Sequence, residues 1–372
     1  MKVSIALATH NGEPWLREQL DSLARQTLLP CELVVSDDHS SDRTLSIVET
    51  FAASAPFPVR IVRHHTRLGF SDNFVSALRR CSGEAIAFCD QDDVWSASKL
   101  ELCVRAMCNN RGVSLVHHDC EEVDSNLQSL GIILRPAAAG SPQPPRTETR
   151  SVVGISMLGC CMLARRSVIT LLLDCWPASH LRYVRNSGSR GVLGHDLATL
   201  HMASVVGNVH YVSEVLLQHR RHENNTWSPD LSFAKGKSRL SLVGKSKVLQ
   251  ECAEVRTVVA SMYEEMAGRA EARNQSFAAD YLAKISSRDR QLAGFYARRA
   301  ELYSAQLRRE RLSIFWNAVC SGDYRAVGGL LGGMRCALKD LAFGIAGPTA
   351  PQALEAICNR LNLKFHPREV AK

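Results

Sequence analysis

No uninterrupted apolar run in the 372 residues reaches the roughly 18 to 20 that a membrane-spanning helix requires. The expectation is a protein that is soluble or lies on a surface. The opening stretch MKVSIALATHNG has too short an apolar run for a signal peptide and no small-residue cleavage site after it, so it reads as a strand. Thirteen cysteines are scattered along the chain with no Cys-x-x-Cys pair and no short secreted framework, which fits a reducing cytosol. Nucleic-acid signatures are missing as well: there is no helix-turn-helix pairing, no zinc spacing and no interleaving of aromatic and basic residues, so no nucleic-acid partner is expected.

What is present is enough apolar residue, 45%, for one large domain and an appendage. Charge divides unevenly between them. Residues 231–372 carry 23 Lys and Arg against 13 Asp and Glu, a balance of +10, whereas residues 1–230 carry 22 against 24. The basic excess therefore belongs to the C-terminal part and suggests an anionic surface as its partner, the membrane being the candidate.

Over the first 120 residues short apolar runs alternate with helical patterns. Val3 to Ala8, Glu32 to Ser36, Val59 to Arg63, Glu84 to Cys89 and Ser114 to His117 read as strands covered on both faces. Between the first two, Asn11 can cap a helix with Pro14 in its first turn and Leu16, Leu20 and Leu23 on one face. After the second, Ser41 or Asp42 can cap a helix burying Ile47, Val48 and Phe51. This rhythm argues for an α/β fold with a mostly parallel central sheet flanked by helices, whose ligands sit beyond the carboxyl ends of the strands.

Those ends carry ATHNG, SDDHSSD and CDQDD. In the last, Asp90, Asp92 and Asp93 crowd three carboxylates into four positions directly after a buried strand. Such crowding is costly unless a cation offsets it, and Asp90 and Asp92 can place oxygens around a hard divalent ion. Each of these loops also reads as ordinary capping or a solvated turn.

The blocks SIALATHNGEPWLREQLDSLARQT, ELVVSDDHSSDRT, RLGFSDNFVSALRRCSGEAIAFCDQDDVW and GHDLATL, in this order over the first 230 residues, resemble the inverting glycosyltransferases of family 2. Within that family the bacterial branch containing rhamnosyltransferases of polysaccharide assembly is most similar. The resemblance implies an A-type nucleotide-diphosphosugar transferase fold, a nucleotide-sugar donor such as a rhamnose donor, a saccharide or lipid-linked acceptor, and Mg2+ or Mn2+. It places Thr9, Asn11 and Glu13 in the first donor loop, Asp38 at the nucleotide base, and Asn73 in the segment over nucleotide and diphosphate. Asp90 falls near ribose and phosphate, and Asp92 at the metal. Departures are Ala97, where proline commonly precedes Lys99-Leu100, and His10, where tyrosine is common.

Attack by a sugar hydroxyl requires a base. Asp196, in the block His195-Asp196 at a helix start, is that base by resemblance and an ordinary first-turn acid otherwise. The helix N-terminus favours its charged form while burial raises its basicity. In LLQHRRHENNTW, where the branch carries an Arg-x-His-x-Asn block, Arg221 and His222 are the first candidates to meet the diphosphate, ahead of Gln218, His219, Arg220 and Asn225. His117 to Cys120 (HHDC) mixes zinc-ligand types, but neighbours on a strand face opposite ways. His64-His65 and Cys160-Cys161 read as packing or surface.

Residues 136–150 read as an exposed loop and 185–191 as a lid. From residue 231 the pattern turns to long helices, ending in an apolar stripe from Val327 to Ile345 interrupted by glycines, each of which costs about 0.5 to 1 kcal/mol in an isolated helix. The catalytic domain, a second copy of the chain or the cytoplasmic face of the inner membrane can cover that stripe. The domain organisation expected is a catalytic domain over 1–230, with a nucleotide-sugar half (1–120) and an acceptor half (121–230), then a basic helical region over 231–372. The activity expected is metal-dependent, inverting sugar transfer in the cytoplasm, with an inactive nucleotide-sugar-binding scaffold as the alternative.

Overall fold

In a computed structural model of the chain, residues 1–134, 158–178, 193–223, 225, 242–322, 324, 337 and 340 are described. The expected loop at 136–150, the expected lid at 185–191 and nearly all of the 327–345 stripe lie outside them. The chain divides into two compact units, one comprising 1–189, 193–225 and 265–281, the other most of 226–264 and 282–372.

The first unit begins with four strands in parallel register: β1 (Val3–Thr9), β2 (Glu32–Asp37), β3 (Val59–Arg63) and β4 (Ala85–Cys89). Helices α1 (Leu16–Ala24), α2 (Thr44–Ala52) and α3 (Phe70–Leu78) make the crossovers. β2 and β4 are buried at every residue, as unbroken apolar runs demand when helices cover both faces. In α1, Leu16, Leu20 and Leu23 are buried in the sheet's core together with Ile5, Leu7 and Leu33. α2 contributes Val48 and Phe51 to the same core, with Ile47 beside them. Each such side chain contributes about 1.5 to 3 kcal/mol by leaving water.

The other half of the sheet mixes directions. β5 (Val94–Trp95), β6 (Val113–Val123), β7 (Ser129–Leu134), β8 (Met162–Arg165) and β9 (Asn208–Arg220) give the order β3-β2-β1-β4-β8-β6-β9-β5, with β7 on β6. β8 lies antiparallel between β4 and β6, and β9 runs parallel to β6. The parallel half is thus the one that ends in the three polar loops, and β8 brings the Gly159–Cys161 turn up against them. Helices α4 (Lys99–Asn109), α5 (Arg166–Cys175) and α6 (His195–Val206) complete the layers.

The C-terminal helices are α7 (Leu242–Glu271), α8 (Ser276–Ser304) and α9 (Arg308–Cys320), the first two joined by a turn in which Asn274 takes φ 58°. In the second unit Phe295, Leu302, Tyr303, Phe315, Ala318 and Tyr324 form a separate core. Asp340 is fully buried beside it and accepts hydrogen bonds from Arg299 (2.6 and 2.7 Å), Tyr303 (3.0 Å) and Tyr324 (2.9 Å). No helix among the described residues is long and apolar enough to cross a membrane.

Candidate active site

The parallel register sets Thr9 beside Asp37 and Leu7 beside Cys89, so the loops after β1, β2 and β4 leave the sheet side by side. Thr9 Oγ1 donates to Asp37 Oδ2 at 3.0 Å, and the Ser40 amide donates to Asp37 Oδ1 at 2.9 Å. Asn11 does not cap α1. Its φ of 48° turns the chain, and its Oδ1 accepts the Ser41 amide at 2.9 Å. Glu13 holds Arg43 through Nε (2.7 Å) and the backbone amide (2.8 Å), and this pairing lowers the pKa of its exposed carboxyl. Asp42 caps α2's first turn in practice, accepting the Thr44 amide at 3.0 Å.

Asp38 is buried and accepts the amides of Leu68 (2.6 Å) and Gly69 (2.9 Å), fixing the strained entry to α3, where Gly69 has φ 89°. Asn73, on α3, donates from Nδ2 to the Thr9 carbonyl at 3.2 Å. The two residues therefore hold the first loop and the α3 segment together. Gln91 ties the same loop to DQDD: its Oε1 accepts the His10 amide at 2.8 Å and its Nε2 donates to the His10 carbonyl at 3.0 Å. A Cβ on Gly12 would stand 2.3 Å from Gln91 Oε1, so a side chain there would push Gln91 off its bonds to His10.

The three aspartates part ways. Asp92 Oδ2 lies 2.9 Å from His222 Nε2, and Asn225 Nδ2 donates to the same oxygen at 3.5 Å. Asp93 is 1% exposed and accepts the Arg220 amide at 3.2 Å. Burial, followed by the Asp92 charge, pushes its carboxyl up to about 7. Asp90 is pushed well above the usual carboxylate range by burial and then by the charges of Asp93, Asp92 and Asp196. Asp196 is therefore within electrostatic reach of the acidic run, although over a hundred residues separate them in sequence.

Asp196 stands in the first turn of α6, at the positive end of the helix dipole. Its Oδ1 accepts the Leu197 amide at 2.7 Å, while Oδ2 bonds to no other described residue. A Cβ on Gly194 would come within 2.3 Å of Oδ1, and one on Gly159 within 3.3 Å of the Asp196 Cβ. Two glycines thus leave the room that this carboxylate occupies. His195 is stacked on Phe74 at 4.0 Å between ring centroids, and its backbone amide donates to Ser71 Oγ at 3.2 Å, which anchors the start of the helix.

Arg220, not Arg221, is the buried cation behind the aspartates. Its guanidinium donates to the Asp92 carbonyl (2.8 Å), the Ser125 carbonyl (2.6 Å) and the Glu18 carboxylate, and lies 4.8 Å over the Trp15 ring. Trp15 in turn stacks on His222 at 5.2 Å. Arg221 is paired with Glu122 at 3.5 Å. Residues here to which the sequence assigns no role in the site are Gln91, Asp93, Trp15, Glu18 and Cys160. Asp93 was signalled by the acidic run itself, whereas the others depend on which loops meet in space.

The HHDC residues go their own ways along β6. His117 stacks on Tyr211 at 5.2 Å, whose hydroxyl donates to Asp119 at 2.6 Å, and His118 Nδ1 lies 2.7 Å from the Asp119 carbonyl. His64 bridges Ser36 and Ser76 at 3.0 Å each. Among the described residues one group offers three metal-ligand atoms within 4.8 Å of one another: Asp90, Asp93 and Cys160.

The residues fit a divalent cation. An octahedral ion with bonds of about 2.1 Å holds adjacent ligands about 3 Å apart, close to the 2.9 Å between Asp92 Oδ2 and His222 Nε2. Four carboxylates, those of Asp90, Asp92, Asp93 and Asp196, converge here, and among the described residues no Lys or Arg side chain hydrogen-bonds to any of them.

The comparisons agree with this geometry. Over 261 residues the chain is 24% identical to the dTDP-rhamnosyl transferase RfbG of Shigella flexneri, covering 68% of this chain and 84% of that protein. It is 33% identical over 124 residues to WfgD of Escherichia coli, a UDP-Glc:alpha-D-GlcNAc-diphosphoundecaprenol beta-1,3-glucosyltransferase, covering 33% of this chain and 47% of that protein. The match to curated mycobacterial relatives spans 60% of their length. Among solved structures, Staphylococcus aureus TarS 1-349 in complex with UDP-GlcNAc superposes with a TM-score of 0.50 at 17% identity, covering 98% of this chain and 93% of that one, a likeness of fold. The profile of Glycosyl transferase family 2 matches residues 4–172, the stretch that holds β1 through most of α5 with the acidic run, so this part of the chain is a domain of that family.

Proposed function

We propose that the protein is a metal-dependent, inverting glycosyltransferase that moves a sugar from a nucleoside-diphosphate donor to a hydroxyl of a saccharide or lipid-linked acceptor in bacterial surface polysaccharide synthesis. The observation that carries this reading is the convergence of Asp196, at the start of α6, with Asp90 and Asp92 after β4, where His222 comes in from the end of β9. RfbG, matched over most of its length, makes dTDP-rhamnose the first donor to test. WfgD, named for a diphosphoundecaprenol acceptor, favours a lipid-linked one. Such an acceptor would put the protein at the cytoplasmic face of the inner membrane, where the basic C-terminal part would meet anionic lipid.

Asp92 and His222 would hold Mg2+ or Mn2+, with imidazole favouring Mn2+ of the two. When bound, the ion supplies charge that stabilises the departing diphosphate. The chain's own residues do the rest. Thr9, Asn11 and Glu13 shape the loop facing the nucleotide, and Asp38 and Asn73 hold the α3 segment over it. Asp90 lies toward ribose and phosphate. Asp196 takes the acceptor proton on Oδ2 as the hydroxyl attacks opposite the leaving group, so one displacement inverts the anomeric centre. Arg220 keeps Asp92 aligned, and Arg221 remains at the rim of the diphosphate region, paired with Glu122.

The test pairs binding with turnover. Melting temperature is measured with UDP, GDP, CDP and dTDP, with and without Mn2+; a ligand at about 100 times its Kd stabilises by roughly 2.7 kcal/mol. The expected result is a metal-requiring shift with dTDP, together with sugar transfer from dTDP-rhamnose that Asp196→Asn lowers about 10²- to 10⁴-fold without losing the shift. A scaffold would keep the shift and show no transfer in the wild type. No shift with any diphosphate would overturn the reading.

A further inference from the structure

Beside Asp92 lies a group of which the proposed transfer employs Asp90 alone. Asp90, Asp93 and the Cys160 thiol bring one ligand atom each to within 4.8 Å of one another, Asp93 and Cys160 buried and Asp90 half-buried. The three come from two elements distant in sequence: the loop after β4 and the Gly159–Cys161 turn that β8 inserts next to it. The turn is held by Lys99, whose Nζ donates to the Cys160 carbonyl at 2.5 Å and sits 3.6 Å over the Trp95 ring. That contact fixes the backbone of residue 160 and leaves its side chain facing the carboxylates.

An independent observation points to a missing ligand. Asp93 Oδ1 accepts the Arg220 amide, whereas Oδ2 is fully buried with no N–H or O–H donor among the described residues, the weakly donating Cys160 thiol being the carboxyl's remaining partner. A buried carboxylate oxygen left without a donor costs on the order of 1 to 3 kcal/mol or more, so such atoms are ordinarily satisfied by water, an ion or a ligand. Arg220 offers it nothing further, because its guanidinium is engaged by the Asp92 and Ser125 carbonyls and by Glu18.

We infer that Asp90, Asp93 and Cys160 form a binding site for a thiophilic divalent cation of the Zn2+ or Cd2+ class, distinct from the Asp92–His222 position. Two carboxylate oxygens and one sulfur are a tetrahedral zinc set with one position left for water. Sulfur selects against Mg2+, which takes hard oxygen ligands in octahedral geometry. Bond lengths of about 2.0 Å to oxygen and 2.3 Å to sulfur place such ligands about 3.3 to 3.5 Å apart, within the reach of small side-chain rotations from the separations present. Binding forms a metal–sulfur bond and breaks the Cys160 S–H bond; the proton leaves to solvent and no electron changes hands. An ion there would neutralise Asp90 and Asp93 next to the transfer site, so Zn2+ would act on the protein in a way Mg2+ cannot mimic.

The test uses full-length protein and the metal alone, needing no turnover, so its failure leaves the proposed sugar transfer standing. Cd2+ is titrated into protein carrying Cys108→Ser and Cys320→Ser, which removes the exposed thiols among the described residues, and the thiolate-to-metal charge-transfer band is recorded with a large excess of Mg2+ present. The expected result is a one-equivalent band that disappears in Cys160→Ser. Asp93→Asn, whose Oδ1 can still accept the Arg220 amide, weakens Cd2+ binding at least tenfold while its melting temperature without metal is kept. A band unchanged by Cys160→Ser, or abolished by Mg2+, overturns the site. Should Cys160→Ser fail to fold, the Asp93→Asn titration decides alone, and wild-type affinity there overturns it.

Discussion

Asp92 Oδ2 and His222 Nε2 face each other at 2.9 Å across 130 residues of sequence. The contact joins the loop after β4 to the end of β9, and it is braced from behind: Trp15 stacks on the imidazole, and Asn225 Oδ1 accepts the His222 amide at 2.6 Å. A histidine held so firmly against a carboxylate is preset either to hydrogen-bond it or to share a cation with it.

The sharing case yields the first prediction. His222→Gln keeps a polar side chain but loses the ring nitrogen, so the Mn2+ concentration for half-maximal transfer should rise at least tenfold while the melting temperature without metal changes little. Removing groups from or around a metal site typically costs about 10- to 100-fold. Activity titrated against Mn2+ in the two proteins measures it. An unchanged half-saturation would make His222 a hydrogen-bond partner only.

Arg220 carries the second prediction. Its planar fork meets two carbonyls and a carboxylate from three separate segments, and a lysine cannot match that geometry. Arg220→Lys should lower stability by roughly 2 to 4 kcal/mol, read as a fall in the urea midpoint at constant slope. Because the same guanidinium holds the Asp92 carbonyl, the metal-dependent dTDP shift should shrink as well. Loss of stability with that shift intact would restrict Arg220 to the fold.

These residues also mark how far the sequence could be read. β1, β2 and β4 and the face of α1 were plain because buried strands and an apolar helical stripe follow from one-dimensional periodicity. The nearness of Asp90 and Asp92 to the ligand-binding end of the parallel sheet, and of Asp196 to a helix start, was readable because each opens or follows an element. The choice of Arg221 over Arg220 was not decidable: neighbours at a strand end point to opposite sides, and only the pairing of β9 with β5 and β6 sets which side meets the aspartates. Cys160 reads as packing or surface in the sequence for the same kind of reason, since its relation to Asp93 exists only once β8 inserts antiparallel next to β4.

Acid stability provides a third expectation. His117 and His201 are buried, and burial pulls both down to about 4. A histidine with a depressed pKa in the fold binds fewer protons folded than unfolded, so its contribution is intact above about 6.5 and is lost as pH falls toward 4. Each accounts for on the order of 3 kcal/mol across that window. The urea midpoint should therefore drop steeply between pH 6.5 and 4.5. His201→Leu, which fills a similar buried space without a titrating group, should flatten part of that drop; an unchanged profile would rule out His201 as a contributor.

Asp93 acts with the opposite sign. Its folded carboxyl is raised to about 7 by burial and by Asp92, so folding favours its protonated form and loses stability as pH rises from about 4 to 7. A divalent ion at Asp92 and His222 adds positive charge beside Asp93 and must lower that value, driving the proton off. Mn2+ binding near pH 6 should therefore release protons, and the release should fade by pH 8, where Asp93 is already ionised in the free protein. Calorimetric titration in two buffers of different ionisation enthalpy counts the protons directly. Asp93→Asn removes the titrating group while keeping an acceptor for the Arg220 amide, and it should lower the count at pH 6. Asp90, raised by burial and then by the charges of Asp93, Asp92 and Asp196, supplies what release remains. A count at pH 6 that Asp93→Asn leaves untouched would show that Asp93 does not sense the ion.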